Sequence, residues 1–168
     1  MAFEIYMLGK SRFSSNRREA LDLASKSSFG EIKDGKVIYS IYEVLYLMEK
    51  KKSKLLNLKN KEIKFNGLIK KADSLLYSAF RDLKNKGYIL KEGLKFGSDF
   101  RVYLPGQMPG KAHAKYLLYV LNGSARIKPS DFTSKARIAH STNTLLLLAI
   151  VDSEEDISYY EVGWKSKD

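Results

Sequence analysis

The sequence contains no cysteine, which excludes a disulfide framework, a thiolate metal site and a cysteine nucleophile. Only two histidines occur, His113 and His140, so a histidine-rich metal cage is excluded as well. No long hydrophobic run is present. The longest, Leu145 to Val151, falls far short of the roughly 20 apolar residues that cross a bilayer. The first residues, Met1 to Phe13, lack the apolar stretch of a signal peptide. The chain reads as soluble, and a cytoplasmic location is expected. Acidic residues are scarce: 19 Asp and Glu stand against 30 Lys and Arg, a net charge of +11. That excess favours a polyanionic partner, with nucleic acid first and an acidic membrane surface second. The plain alternative is a solvated basic surface.

What is present is an ordinary globular composition. At 44% hydrophobic, the 168 residues can bury a real core as one domain or two small ones. Nine lysines fall between Lys50 and Lys71, with Glu62 the only acid among them. This stretch is read as the junction of two modules, residues 1–70 and 71–168. Its lysines either contact phosphates or form a solvated linker.

In the first module, Glu31 to Ile38 has the pattern of a hairpin. Its Asp34-Gly35 pair suits the positive φ of a type I′ turn. Ser40 and Glu43 have capping-box spacing. Ile41, Val44, Leu45 and Met48 then follow at the period of one helix face. In the second module, Leu75, Leu76, Ala79, Phe80 and Leu83 mark another helix, with Gly87 as its stop. Tyr88 to Leu90, Phe100 to Leu104 and Tyr116 to Leu121 read as strands, with turns at Lys91 to Gly93 and Gly97 to Asp99. Ser130 is placed to cap a helix from Asp131 to about Ser141. Leu145 to Val151 reads as a buried central strand and Ile157 to Trp164 as a final alternating one. The expected fold is α+β: a small mixed N-terminal domain, then a domain with a mainly antiparallel sheet flanked by helices.

Three blocks of the second module carry a resemblance. They are Leu83 to Tyr103, His113 to Leu118, and Arg137 to Ser141 with the apolar strand after it. In order and spacing they resemble the archaeal tRNA-intron splicing endonucleases over most of residues 75–164. Residues 1–70 match only loosely. The resemblance implies a nuclease-like C-terminal fold. It also implies cleavage of precursor tRNA at bulge-helix-bulge motifs, leaving a 2′,3′-cyclic phosphate and a 5′-hydroxyl. The ribose 2′-OH is the nucleophile, so neither metal nor cofactor is implied. Such chemistry needs a group to take the 2′-OH proton, a group to protonate the leaving 5′-oxygen, and positive charge beside the phosphate. The family gives these roles to a Tyr, a His and a Lys. Tyr103 and His113 match the first two. Thr144 stands in the lysine position, and it carries no charge.

Losing one preorganised charge at a transition state costs about 10²–10³ in rate. The absence therefore points to the structural subunit of a heterotetramer, paired with a catalytic paralogue. The resemblance extends to a clamp for a bulged base, matched by Arg137 with Trp164 as its second jaw. It also extends to an acidic loop that docks on a neighbouring subunit, matched by Asp152, Glu154, Glu155 and Asp156. The strand carrying Tyr159 matches one that pairs across a two-fold interface. The bland readings are a surface arginine, a core tryptophan and a solvated hairpin tip. His140 is read as structural. Two alternative functions stand beside this reading. One is a catalytic subunit with a relocated lysine, Lys135 or Lys165. The other is a non-enzymatic, winged-helix-like nucleic-acid-binding protein, for which the Leu75 to Leu83 helix and the Tyr88 to Tyr103 hairpin provide the pattern.

Overall fold

A computed structural model describes residues 1–165. The chain forms two compact units that meet in sequence at Ser74 and Leu75, and each is α+β.

The first unit is built on a six-stranded sheet. In chain order it runs β1 (Phe3–Met7), β2 (Phe13–Ser15), α1 (Arg18–Ser27), β3 (Glu31–Lys33), β4 (Lys36–Tyr39), α2 (Ile41–Glu49), β5 (Ser53–Leu56), β6 (Glu62–Ile63) and α3 (Phe65–Ile69). The sheet order is β3-β4-β2-β1-β5-β6. The β3–β4 hairpin turns through Asp34 and Gly35, both at positive φ (49° and 71°), as its Asp-Gly pair predicts. The capping box is complete. Glu43 N donates to Ser40 Oγ at 3.2 Å, and Ser40 N donates to the Glu43 carboxylate at 3.0 Å. That carboxylate is buried and also accepts the Gly30 N–H at 2.8 Å. Gly30 has φ +74°, and a Cβ there would meet Val37 Cγ1 at 2.4 Å. One glutamate thus closes a helix start and pins a loop that only glycine can form. The Lys50 to Lys71 stretch is not a solvated linker. It folds into β5, β6 and α3, and Ser53 and Leu55 are buried while Lys54 between them is exposed. Strand alternation explains this: the lysines occupy outward positions.

The second unit holds α4 (Ser74–Asn85), β7 (Ile89–Glu92), β8 (Phe100–Tyr103), β9 (Tyr116–Asn122), α5 (Pro129–Ser141), β10 (Leu145–Val151) and β11 (Ile157–Val162). The sheet order is β11-β10-β9-β8-β7. Only β9 and β10 are parallel, and α5 is the crossover that such a pair needs. β10 is therefore flanked on both sides, as its unbroken apolar run predicts.

Helix α4 stops at Gly87 (φ 89°), where Tyr88 N reaches back to the Leu83 carbonyl at 3.1 Å. This is a Schellman stop. Helix α5 starts earlier than expected. Lys128 is its N-cap and Pro129 opens the first turn, so Ser130 lies inside the helix and caps nothing. Proline favours that first position because its missing N–H is not needed there. The β7–β8 connection also differs. Lys91 and Glu92 continue the strand, and a 3-10 turn at Leu94–Phe96 makes the bend. The last strand ends at Val162, two residues before Trp164.

Candidate RNA-processing site

The β8-β9-β10 register sets the geometry of two of the three positions singled out by the resemblance, Tyr103 and Thr144. Val102 lies opposite Tyr116, and Tyr116 opposite Leu145. Lys115 N donates to the Val102 carbonyl at 2.8 Å, and Leu145 N donates to the Lys115 carbonyl at 3.0 Å. Tyr103 and Thr144, each one residue past that pairing, form a row at one end of the sheet, while Lys115 and Tyr116 both stand opposite Val102 as a bulge. Alternation puts this row on the sheet face that carries Leu117, Tyr119, Leu146 and Leu148, the face against which α5 packs. Sheet pairing thus brings Tyr103 and Thr144 to one place from 41 residues apart in sequence.

Each member of this site has a distinct setting. Tyr103 is 3% exposed, and its hydroxyl accepts from Arg101 Nη1 at 3.2 Å. The same guanidinium donates through Nε to the Glu92 carbonyl at 3.0 Å, which ties it to β7. His113 is exposed in the loop that leads into β9. Thr144 is half-buried and closes the end of α5. Its N–H reaches the Ala139 carbonyl at 2.9 Å, and its Oγ1 donates to that carbonyl at 3.0 Å. Thr142 Oγ1 lies 3.1 Å away. Asn143 between them has φ 55°, the left-handed turn that ends a helix. Position 144 therefore carries a hydroxyl committed to the helix end and no cation.

Lysines elsewhere in the unit are placed differently. Lys135 Nζ stands 4.7 Å from the centroid of the Tyr119 ring. Tyr119 lies on the same face two steps up β9 from the Tyr103 row, so Lys135 is directed along the sheet. Lys165 lies beyond β11. Lys115 turns its Nζ to the Tyr116 ring, 6.0 Å from the centroid, away from the Tyr103–Thr144 row.

Beside Thr144 lies a pocket of about 200 Å³, lined by Ala136, Ala139, His140, Thr144, Val162 and Trp164 among others. The Trp164 ring stacks on His140, with centroids 4.9 Å apart and planes at 21°. His140 is thus a partner of the tryptophan. Arg137 is exposed on the same helix, one turn before His140. Trp164 is 51% exposed, with one ring face covered by the imidazole.

The acidic turn is a self-supporting loop. Asp152 Oδ1 accepts the N–H of Glu154 at 2.8 Å and of Asp156 at 3.0 Å, and Glu155 adopts φ 66°. Asp152, Glu154, Glu155 and Asp156 are all exposed. β11 is the edge of the sheet. Its Tyr159 turns to the opposite face, where its hydroxyl donates to Asp82 of α4 at 2.7 Å. Burial and then that carboxylate push the phenol well above its ordinary range. Tyr116, on the same face, donates to Glu161 at 2.8 Å; burial, then the Glu161 carboxylate, push it up to about 12.

Among the described residues, no cluster of three His, Asp or Glu side chains is arranged to hold a metal ion. No helix among them is long and apolar enough to cross a membrane.

The family described as tRNA intron endonuclease, catalytic C-terminal domain, matches residues 74–159. A tRNA-splicing endonuclease of Pyrococcus horikoshii is 36% identical over 167 residues, covering 96% of this chain and 95% of the relative. One from Thermococcus gammatolerans is 35% identical, covering 95% and 96%. One from Methanothermobacter thermautotrophicus is 39% identical over 145 residues, covering 84% and 85%. The matched C-terminal domain contains the Tyr103–Thr144 row, and the relatives run nearly the full length of both units: this chain belongs to the tRNA-splicing endonuclease family.

Proposed function

We propose that this chain is the structural subunit of a heterotetrameric tRNA-splicing endonuclease, and that it acts on precursor tRNA only together with a catalytic paralogue. The carrying observation is position 144. Its side chain is a threonine hydroxyl bonded to the Ala139 carbonyl, in the row that holds Tyr103. The reaction is a transesterification. The 2′-OH attacks the adjacent phosphorus, the P–O5′ bond breaks, and a 2′,3′-cyclic phosphate and a 5′-hydroxyl result. Tyr103 matches the family's tyrosine, the base in this reading, and His113 its histidine, the acid. The phosphate's growing negative charge has no cation at the third position. Removing such a charge costs about 10²–10³ in rate, enough to leave the chain alone a much slower catalyst than a chain with the full set.

The remaining features support a role in assembly and RNA holding. The exposed acids of the β10–β11 turn are preformed by Asp152 to enter a basic cleft of a neighbouring subunit. β11 is an edge strand, open to pairing with another sheet. Tyr159, anchored on Asp82, holds that edge to α4. Arg137 and the His140-backed Trp164 offer a cation and a flat ring to an unstacked base. The test is cleavage of a bulge-helix-bulge RNA by the purified chain alone and with its paralogue.

A further inference from the structure

The positive charge of the first unit gathers at one end of its sheet. β1 and β5 are parallel neighbours, with Tyr6 opposite Leu56. The loops leaving both strands therefore emerge side by side. The loop after β1 carries Lys10 and Arg12, and the loop after β5 carries Lys59 and Lys61; all four are exposed. Both loops are held in shape. Leu8 N donates to the Arg12 carbonyl at 2.8 Å. Asn57 Oδ1 accepts the N–H groups of Lys59 and Lys61, each at 2.9 Å.

Between the loops lies a groove of about 400 Å³, lined by Met7, Gly9, Lys10, Leu58, Lys59 and Lys71 among others. Its floor is apolar, and Leu58 is 72% exposed. Its rim is cationic. Among the described residues, Lys10, Arg12, Lys59, Lys61 and Lys71 are in no ion pair; the nearby Glu62 holds Lys64 instead. An exposed leucine ringed by unneutralised lysines is costly for a free surface and suits a ligand that is flat and apolar in one part and polyanionic in another.

We propose that this groove binds unpaired RNA. A base and its ribose rest on Leu58 and Met7, and Lys10, Lys59 and Lys71 hold the flanking phosphates. The proposal rests on the family's RNA chemistry for its choice of polyanion, and not on the subunit role argued above. Unpaired strands fit better than duplex, because stacked bases cannot reach the floor while splayed ones can. A lipid surface fits worse, since interfacial binding uses the long apolar face of an amphipathic helix, and this floor lies between two short loops.

The test uses the full chain and fluorescence anisotropy across a salt series. The probes are a labelled oligouridylate of about 12 nucleotides, within the range that one binding module covers, and an RNA duplex of equal length. The triple variant Lys10→Gln/Lys59→Gln/Lys71→Gln is compared with Lys26→Gln/Lys33→Gln/Lys36→Gln, which removes equal charge elsewhere on the same unit. Three lost phosphate contacts on a single strand, at about 0.7 each, lower the slope of log K against log salt by about 2. The comparison triple leaves the slope near wild type. Leu58→Ser weakens oligouridylate binding, keeps the salt slope and leaves duplex binding unchanged.

Equal losses from both triples, or none from the first, overturn the proposal. So does a duplex preference indifferent to Leu58→Ser. Polyglutamate competing in place of RNA, with the same sensitivity to the first triple, would also overturn it and identify an acidic protein surface as the occupant. None of these outcomes bears on whether the chain cleaves alone, so failure here leaves the subunit role standing.

Discussion

Replacing Thr144 by lysine supplies the one charge that the site row lacks. The structural cost is small. The substitution removes the Oγ1 bond to the Ala139 carbonyl (3.0 Å) and the contact with Thr142 Oγ1 (3.1 Å). Two things keep the helix end closed. Thr142 Oγ1 still donates to the Ala139 carbonyl at 3.1 Å, and the backbone N–H of residue 144 still reaches it at 2.9 Å. No acceptor is orphaned, so the loss is about 1 kcal/mol. A domain stable by roughly 5–15 kcal/mol tolerates that. The chemical gain is larger. One preorganised donor facing the developing oxyanion is worth about 10²–10³ in kcat, or roughly 3–4 kcal/mol. T144K, purified alone, should therefore cut a bulge-helix-bulge RNA at least about 10²-fold faster than wild type. Its products should carry 2′,3′-cyclic phosphate and 5′-hydroxyl ends. Thr144→Met, similar in reach but uncharged, should stay at the wild-type level. A folded T144K with no gain, or an equal gain from Thr144→Met, would refute the claim that charge at this position is what the chain lacks.

Three further outcomes follow from the structure. Neutralising Glu154, Glu155 and Asp156 to Gln, Gln and Asn, while keeping Asp152 because its Oδ1 builds the turn, should split the assembled tetramer into dimers. Sedimentation with the paralogue checks this, and raised salt should act in the same direction on the unaltered complex. Arg137→Ala should lower RNA cleavage by the assembled complex about 5- to 30-fold, the equivalent of a stacking contact of roughly 1–2 kcal/mol, and single-turnover assays measure it. Glu43→Ala should lower stability by about 2–4 kcal/mol, because it strips the Ser40 cap and leaves the buried Gly30 N–H without its acceptor. Thermal unfolding reads that loss, while RNA affinity should be unchanged.

Local signals in the sequence located most elements. The Asp34-Gly35 turn, the Ser40–Glu43 box, the Gly87 stop and the Leu145 to Val151 strand all depend on residues close in sequence, and pattern reveals those. The Ser130 cap failed because Pro129 takes the first helical position and moves the start back to Lys128. In the Lys50 to Lys71 stretch the density of charge masks the alternation of β5, where Ser53 and Leu55 point inward on either side of Lys54. At the site, Tyr103, His113 and position 144 came from the resemblance. Their rows did not, because register across three strands is a long-range property. His140 behind Trp164 depends in turn on where β11 ends. The groove at Leu58 needs the parallel pairing of β1 and β5, which joins Lys10 to Lys59 from distant parts of the chain.

A splicing-endonuclease scaffold without its third catalytic charge should depend on a paralogue, and incubating the purified wild-type chain, without metal and without a paralogue, with a bulge-helix-bulge RNA measures this. Cleavage by the chain alone should be at least about 10²-fold slower than cleavage after adding a paralogue that carries the complete Tyr, His and Lys set. Robust cutting by the chain alone, with cyclic phosphate ends, would contradict it.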